Sequence, residues 1–322
     1  MTRRSDISYK TIIFITLFFL SLWIFYHILD LILILFVAII FMSAMSPLVM
    51  HLQRFKMPKA ISIFIIYFLT FGILGILLTI SFSPLIEETT KLAVTLPAVL
   101  ADLLKVNNLD SNVIQQEVGN LSKNLLSTTR AIFENIISIV FLLVLSFYLL
   151  LERENLEKRV SVLFVGQEDR IQKLLREIEN KLGAWLRGQL FLSLLIGVLV
   201  YLGLILLQIP YALPLAILAG FTEVIPVIGP IISAIPAILL GLSISPVLAL
   251  GVTAMYFVVQ QLENNVIVPQ VMKKAVGLNP LVVILAIAVG GRLLGIGGAL
   301  LAVPIVVVAQ VIIADFLRDK KT

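Results

Sequence analysis

Apolar residues run along this chain in stretches about as long as a membrane is thick, and the interrupted stretches say the most. Uninterrupted runs fall at about 11–29, 31–49, 60–82, 131–151 and 188–207, with a further apolar helix at 246–262. They lack period-two alternation, so they predict helices crossing roughly 30 Å of hydrocarbon, not barrel strands. Two longer runs, 211–242 and 280–316, are each broken near the middle by glycine, proline and one ionisable residue. The first breaks around Glu223, Pro226, Gly229 and Pro230, the second around Gly290, Gly291, Arg292, Gly295, Gly297 and Gly298. A shift of 68 positions (296 − 228) lays Ile228-Gly229 on Ile296-Gly297, Ala234 on Ala302 and Pro236 on Pro304. Two interrupted membrane helices in matching positions are the pattern that marks a transporter's binding site.

The polar positions divide the rest. His27 and Asp30 mark an expected tight turn between the first two runs, and Pro58 suits the start of the third after the basic loop Arg54, Lys56 and Lys59. Residues 83–130 place Leu92, Leu96, Val99, Leu100 and Leu103 at helical spacing among charges, which predicts an amphipathic insert outside the bilayer. In the charged stretch 152–186, Ile171, Leu174, Leu175, Ile178, Leu182 and Trp185 form one apolar stripe. Such a stripe serves a helix on the membrane surface, a helix coupling to a partner, or one packed against its own protein. The resulting organisation is 1–82 with three transmembrane helices, 83–130 an extracytoplasmic insert, and 131–151 a fourth helix. A cytoplasmic charged segment (152–186), a transport core (187–317) and a basic tail (318–322) follow.

Composition sharpens the class. Sixty per cent of residues are hydrophobic, 13% are charged and the mean hydropathy is +1.10. These values describe an all-α integral membrane protein, here with about eight membrane segments. There is no cysteine, and His27 and His51 are the two histidines. Disulfides, thiolate sites and a histidine cage are therefore unavailable, and no metal or cofactor is expected. The net charge of +5 comes from Lys and Arg in short loops, which orient a membrane protein and imply no nucleic acid. Arg3, Arg4 and Lys10 before an apolar run look like a secretory signal, but the run is long and lacks a small-residue cleavage site, so it reads as a retained anchor. Placing every basic cluster and both termini in the cytoplasm requires each broken segment to return to its own side. They then form re-entrant helical hairpins entering from opposite faces; the arms of the first have about a dozen residues and ~18 Å, too short to cross, whereas the arm after Gly298 in the second is nearly long enough to span. The competing arrangement has two single kinked crossings and Lys273 and Lys274 outside.

Irregular backbone survives at membrane depth only where protein or a water-filled cavity shields it. Glu223 lies in such a break; desolvation favours its neutral acid, which makes it a candidate proton carrier. A structural salt bridge or a water-exposed tip is the plainer reading. Arg292 is placed to neutralise Glu223 or to hold an anionic or polyhydroxylated solute, or else to snorkel to headgroups. Gln260, Gln261, Glu263, Asn264 and Asn265 offer groups for a polar solute or oxygen ligands for a hard cation; otherwise they are helix contacts. Pro226, Gly229, Pro230, Pro236, Gly291, Gly297 and Pro304 are the expected scaffold of the breaks, and His27, Asp30 and Asp315 read as boundary residues. HExxH, G-x-S-x-G, Walker and helix-opening G-x-G-x-x-G motifs are missing, so the chain does not read as an enzyme, and pumping would draw on a gradient.

The stretch GFTEVIPVIGPIISAIPAILLGL, followed by QQLENNVIVPQVMKKAVGLNPLVVILAIAVGGRLLGIGGALLAVP, resembles the autoinducer-2 exporter family, or PerM-type permeases. The earlier VAIIFMSAMSPLV and its basic loop add a weaker match. The resemblance implies a prokaryotic inner-membrane protein with cytoplasmic termini, assembled as a homo-oligomer such as a pentamer. It also implies export of autoinducer-2 or, for some members, exchange of sodium or lithium for protons. Its first motif falls on Glu223, Pro226, Gly229 and Pro230; its second on Glu263, Asn264, Asn265, Pro269, Gly277 and Pro280; its third on Gly291, Gly297 and Pro304. The expected protein is a secondary transporter moving a small polar solute outward by alternating access, with H⁺ or Na⁺ as coupling ion. A Na⁺(Li⁺)/H⁺ antiporter on the same fold and a membrane scaffold acting through 83–130 and 152–186 are the alternatives.

Overall fold

The computed structural model describes residues 9–77, 79, 80, 84, 136–226, 228–275 and 277–319, and every regular element among them is helical. Helix α1 runs unbroken over Tyr9–Gln53, 45 residues. The tight turn expected at His27–Asp30 is absent. The reason is local: no glycine or proline interrupts the chain before Pro47, and one aspartate does not stop a helix. At 1.5 Å per residue the rod is about 67 Å long, roughly twice the thickness of the hydrocarbon core. Apart from Pro84, the insert expected at 83–130 falls outside the described residues.

Helix α2 covers Lys59–Leu77 and begins just after Pro58. Helices α3 (Ile136–Leu151) and α4 (Arg153–Val162) lead to α5, Glu168–Leu206, 39 residues in one piece. From Glu168 onward the charged stretch and the fifth apolar run are thus a single helix. Leu182 and Trp185 of its apolar stripe are buried in a cluster shared with α1, α2, α3 and α10, so the stripe packs on its own protein.

The first broken segment is a pair of short helices, α6 (Ala212–Thr222) and α7 (Ile228–Ile244), packed on each other. Helix α8 (Pro246–Leu262) opens on Ser245, whose side chain accepts the Leu248 N–H at 3.1 Å. It passes through one π-helical turn, Glu263–Ile267, into α9, Val268–Ala275. The second broken segment, α10 (Pro280–Asp319), doubles back at Leu294 and Gly295, where Gly295 has φ 62° and ψ −145°. A side chain with a Cβ rarely adopts that backbone, so glycine is required there. The two arms meet at Gly290 and Gly298, whose backbones touch, and a Cβ on Gly291 would stand 3.7 Å from that of Ala299. In a straight helix residues eight apart would be separated by ~12 Å.

Among the described residues, five helices are long and apolar enough to cross a membrane, the last counted over both arms of α10, and shorter apolar helices accompany them. The chain is a multi-pass membrane protein. Among the described residues, most of the buried apolar side chains gather in two clusters. One joins Ala44, Met45 and Val49 of α1, Ile63 and Tyr67 of α2, Leu150 of α3 and Ala302 and Val307 of α10. The other joins Leu215 and Ala219 of α6, Ala237 and Leu240 of α7 and Val252 and Tyr256 of α8. Helix α5 belongs to both, through Leu182 and Trp185 below and Ile196, Val200 and Leu204 above. Small residues let it approach closely: Gly183 lies on the Ser43 carbonyl, and a Cβ on Gly197 would stand 3.2 Å from the Ala216 carbonyl oxygen.

Candidate functional site

Helix α6 ends because the residues after it cannot continue it. Pro226 and Pro230 lack the N–H groups that a helix would use, and Gly229 folds in against the Thr222 carbonyl. The last N–H of α6, on Glu223, still reaches the Ala219 carbonyl at 3.0 Å. This places the Glu223 side chain at the tip of the first hairpin, 1% exposed.

Glu263 meets it there. Glu263 sits on the π-helical turn after α8 and is 4% exposed, and the two carboxyl groups lie side by side. Gln260 Nε2 donates to Glu263 Oε2 at 2.9 Å. Oε2 of Glu223 is buried without a hydrogen-bond partner, and a proton on either acid would supply one. From α5, Gln189 (2% exposed) donates its Nε2–H to the main-chain carbonyl of Glu223 at 2.7 Å. Three helices therefore converge on two acids in a site sealed from water. An extra residue in the turn, as in a π-helix, rotates the following side chains and is a frequent device at functional sites.

Of the residues expected from sequence, Glu223, Glu263 and Gln260 are brought together. Arg292 is not among them: it is exposed at the tip of the second hairpin, and the charged group facing Glu223 is another acid. Asn264 and Asn265 are exposed, and Asn265 Nδ2 donates to Gln261 Oε1 at 2.9 Å instead of turning to Glu263. Pro236 and Pro304 lie inside the second arm of each hairpin, eight residues after Ile228 and Ile296 (236 − 228 and 304 − 296). Gly229 packs closely, whereas Gly297 faces open space. Asp315, read as a boundary residue, receives Arg170 Nη2 at 2.8 Å and so ties α10 to the polar end of α5.

Sequence reasoning missed the donors supplied by intact helices. Arg187 Nη1 donates to the carbonyls of Ser43 and Ala44, each at 3.2 Å; Pro47 has no N–H to offer Ser43. Tyr256 Oη donates to the Ser233 carbonyl at 3.2 Å, beside Pro236. With Gln189 they satisfy backbone that lipid cannot. The signal was present in the sequence: Gln189 is an isolated amide within the apolar run GQLFLSLLIG. Beyond the pair, an apolar cavity of about 390 Å³ opens between α2, α5 and α6, with Leu77, Gly197, Tyr201 and Phe221 in its wall. Its lining does not suit a polar solute.

A family model described as AI-2E family transporter matches residues 12–318. Over 303 residues the chain is 30% identical to the "Putative transport protein YrrI" of Bacillus subtilis (strain 168), covering 88% of this chain and 86% of that protein. A second protein of that organism, "Putative transport protein YueF", is 29% identical over 299 residues, 85% of this chain and 80% of its own. The "AI-2 transport protein TqsA" of Escherichia coli (strain K12) is 28% identical over 291 residues, covering 87% of this chain and 83% of that protein.

Proposed function

The chain belongs to the AI-2E transporter family, whose members are transporters and not enzymes, and on that premise we propose that it is a proton-coupled secondary transporter. It exports a small polar solute across the inner membrane by alternating access, with autoinducer-2 a candidate suggested by the name of its Escherichia coli relative. The observation that carries the reading is the contact between Glu223 and Glu263 at the tip of the first hairpin.

Two carboxylates in contact repel strongly where the dielectric is low, so the closed arrangement is stable with a proton between them. Opening the α6–α7 tip away from α8 separates the acids and lets the proton leave. Closing requires it to be taken up again. A conformational change tied in this way to one proton is a coupling step between a gradient and a solute. In this reading both broken segments enter the bilayer as re-entrant hairpins, the termini are cytoplasmic, and the protein acts as a homo-oligomer. Arg292, Asn264 and Asn265 lie outside the coupling pair.

The unpartnered oxygen of Glu223 favours a second reading: Na⁺ or Li⁺ replacing the proton between the acids, as in a cation/proton antiporter. One experiment separates the readings. In proteoliposomes carrying a pH-sensitive dye, adding autoinducer-2 moves protons in the wild type but not in Glu223→Gln/Glu263→Gln. A signal on adding Na⁺ or Li⁺ alone selects the antiporter. Undiminished proton-coupled flux in the double variant ends both.

A further inference from the structure

Glu223 caps the C-terminal end of α6, and what fixes its direction is not that helix. The peptide that follows belongs to a turn in which Pro226 and Pro230 remove two N–H donors. Its carbonyl instead accepts from Gln189, 34 residues away on α5, at 2.7 Å. The approach is possible because α5 and α6 are unusually close here: a Cβ on Gly220 would stand 2.8 Å from the Ser193 carbonyl oxygen. A buried amide in an apolar run is unfavourable unless partnered. Gln189 thus both needs this carbonyl and restrains it. Holding the carbonyl sets the peptide plane at the hairpin tip, and with it the bond along which the Glu223 side chain leaves the backbone.

We propose that Gln189 is a positioning residue for the Glu223–Glu263 pair, keeping the hairpin tip in the register at which the two carboxyls meet. This rests on the reading of that pair as the coupling site. The groups that titrate at the tip are Glu223, just past α6, and Glu263, beyond α8. On the packed helices, Arg187 of α5 is engaged by the α1 carbonyls and Tyr256 of α8 by the Ser233 carbonyl. Neither donates to the acids in these bonds. Gln189 itself carries no charge, so its loss alters the pair through geometry.

The test follows labelling of Glu223 by a hydrophobic carbodiimide, which reacts with neutral carboxyl groups in apolar surroundings, as a function of pH in full-length protein. Gln189→Met keeps the length and removes the donor. Labelling of Glu223 is expected to fall about tenfold, the scale of one lost buried hydrogen bond, with the helical content retained. Gln189→Glu supplies a donor only when protonated, so its labelling should recover towards wild type at acid pH, and proton-coupled flux should follow. Labelling profiles that match wild type in both variants overturn the proposal. So does loss of folded protein in both, because a positioning role leaves the fold standing. Wild-type protein that labels at Glu223 and shows the Gln189 dependence, yet moves no solute, would sink the transport reading and leave this one in place.

Discussion

The two hairpins share a shape and differ in what their tips hold. In each, the chain doubles back at a break, proline and glycine in the first and glycine in the second, and the second arm carries a proline eight residues after its first isoleucine. The first hairpin buries its acid against Glu263 and has its tip fastened by Gln189. The second leaves its tip, from Arg292 to Gly297, exposed, and is held by its arms: Ile287, Ala302 and Val307 enter the core built by α1, α2 and α3. Its far end is pinned by Arg170 and Asp315. A repeated backbone shape therefore does not entail a repeated site. The chemistry follows what faces the tip, and only the first tip is faced by α5 and α8.

The largest effect that would sharpen this contrast is on flux. Glu223→Gln should lower proton-coupled solute flux on the order of a hundredfold, the scale of losing a positioned proton-transfer group. Arg292→Ala should stay within about twofold, as expected of an exposed surface change. Equal losses in both, measured in proteoliposomes at matched protein content, would break the comparison and put the second tip back into the mechanism.

A smaller effect concerns how the second hairpin is built. A methyl on Gly298 would overlap the Gly290 carbonyl, whereas one on Gly297 would meet nothing. Gly298→Ala should destabilise by about 2 kcal/mol, the usual scale of overpacking, while Gly297→Ala stays within ~0.5 kcal/mol. Thermal unfolding in detergent distinguishes them, and equal melting temperatures would mean the arms do not touch. Least of all should be Asp315→Asn. The ion pair it breaks is about a quarter exposed on each side, so its loss should amount to ~0.5 kcal/mol and shrink as salt is raised.

Much of this was legible in the sequence, because membrane helices announce themselves by length and apolarity and their breaks by glycine and proline. The positions of α8, the two breaks and the matched prolines all follow from that logic. The turn at His27–Asp30 did not, because a polar pair between two apolar runs looks the same whether the helix stops or continues. The amphipathic stripe of α5 was visible, but what it packs on was not. Among the site residues, Glu223 and Glu263 stood out as acids in apolar surroundings, yet nothing in their spacing said that they touch.

The sequence by itself determined the class of this protein, its helices and the places where they fail, since hydrocarbon admits few alternatives to a hydrogen-bonded helix. The tertiary structure decided which failures became a site. Side-chain direction at a break depends on where the freed carbonyls find donors, and those donors, Gln189, Arg187 and Tyr256, come from helices distant in sequence. That long-range pairing, not local pattern, sets one carboxyl against another and leaves Arg292 outside.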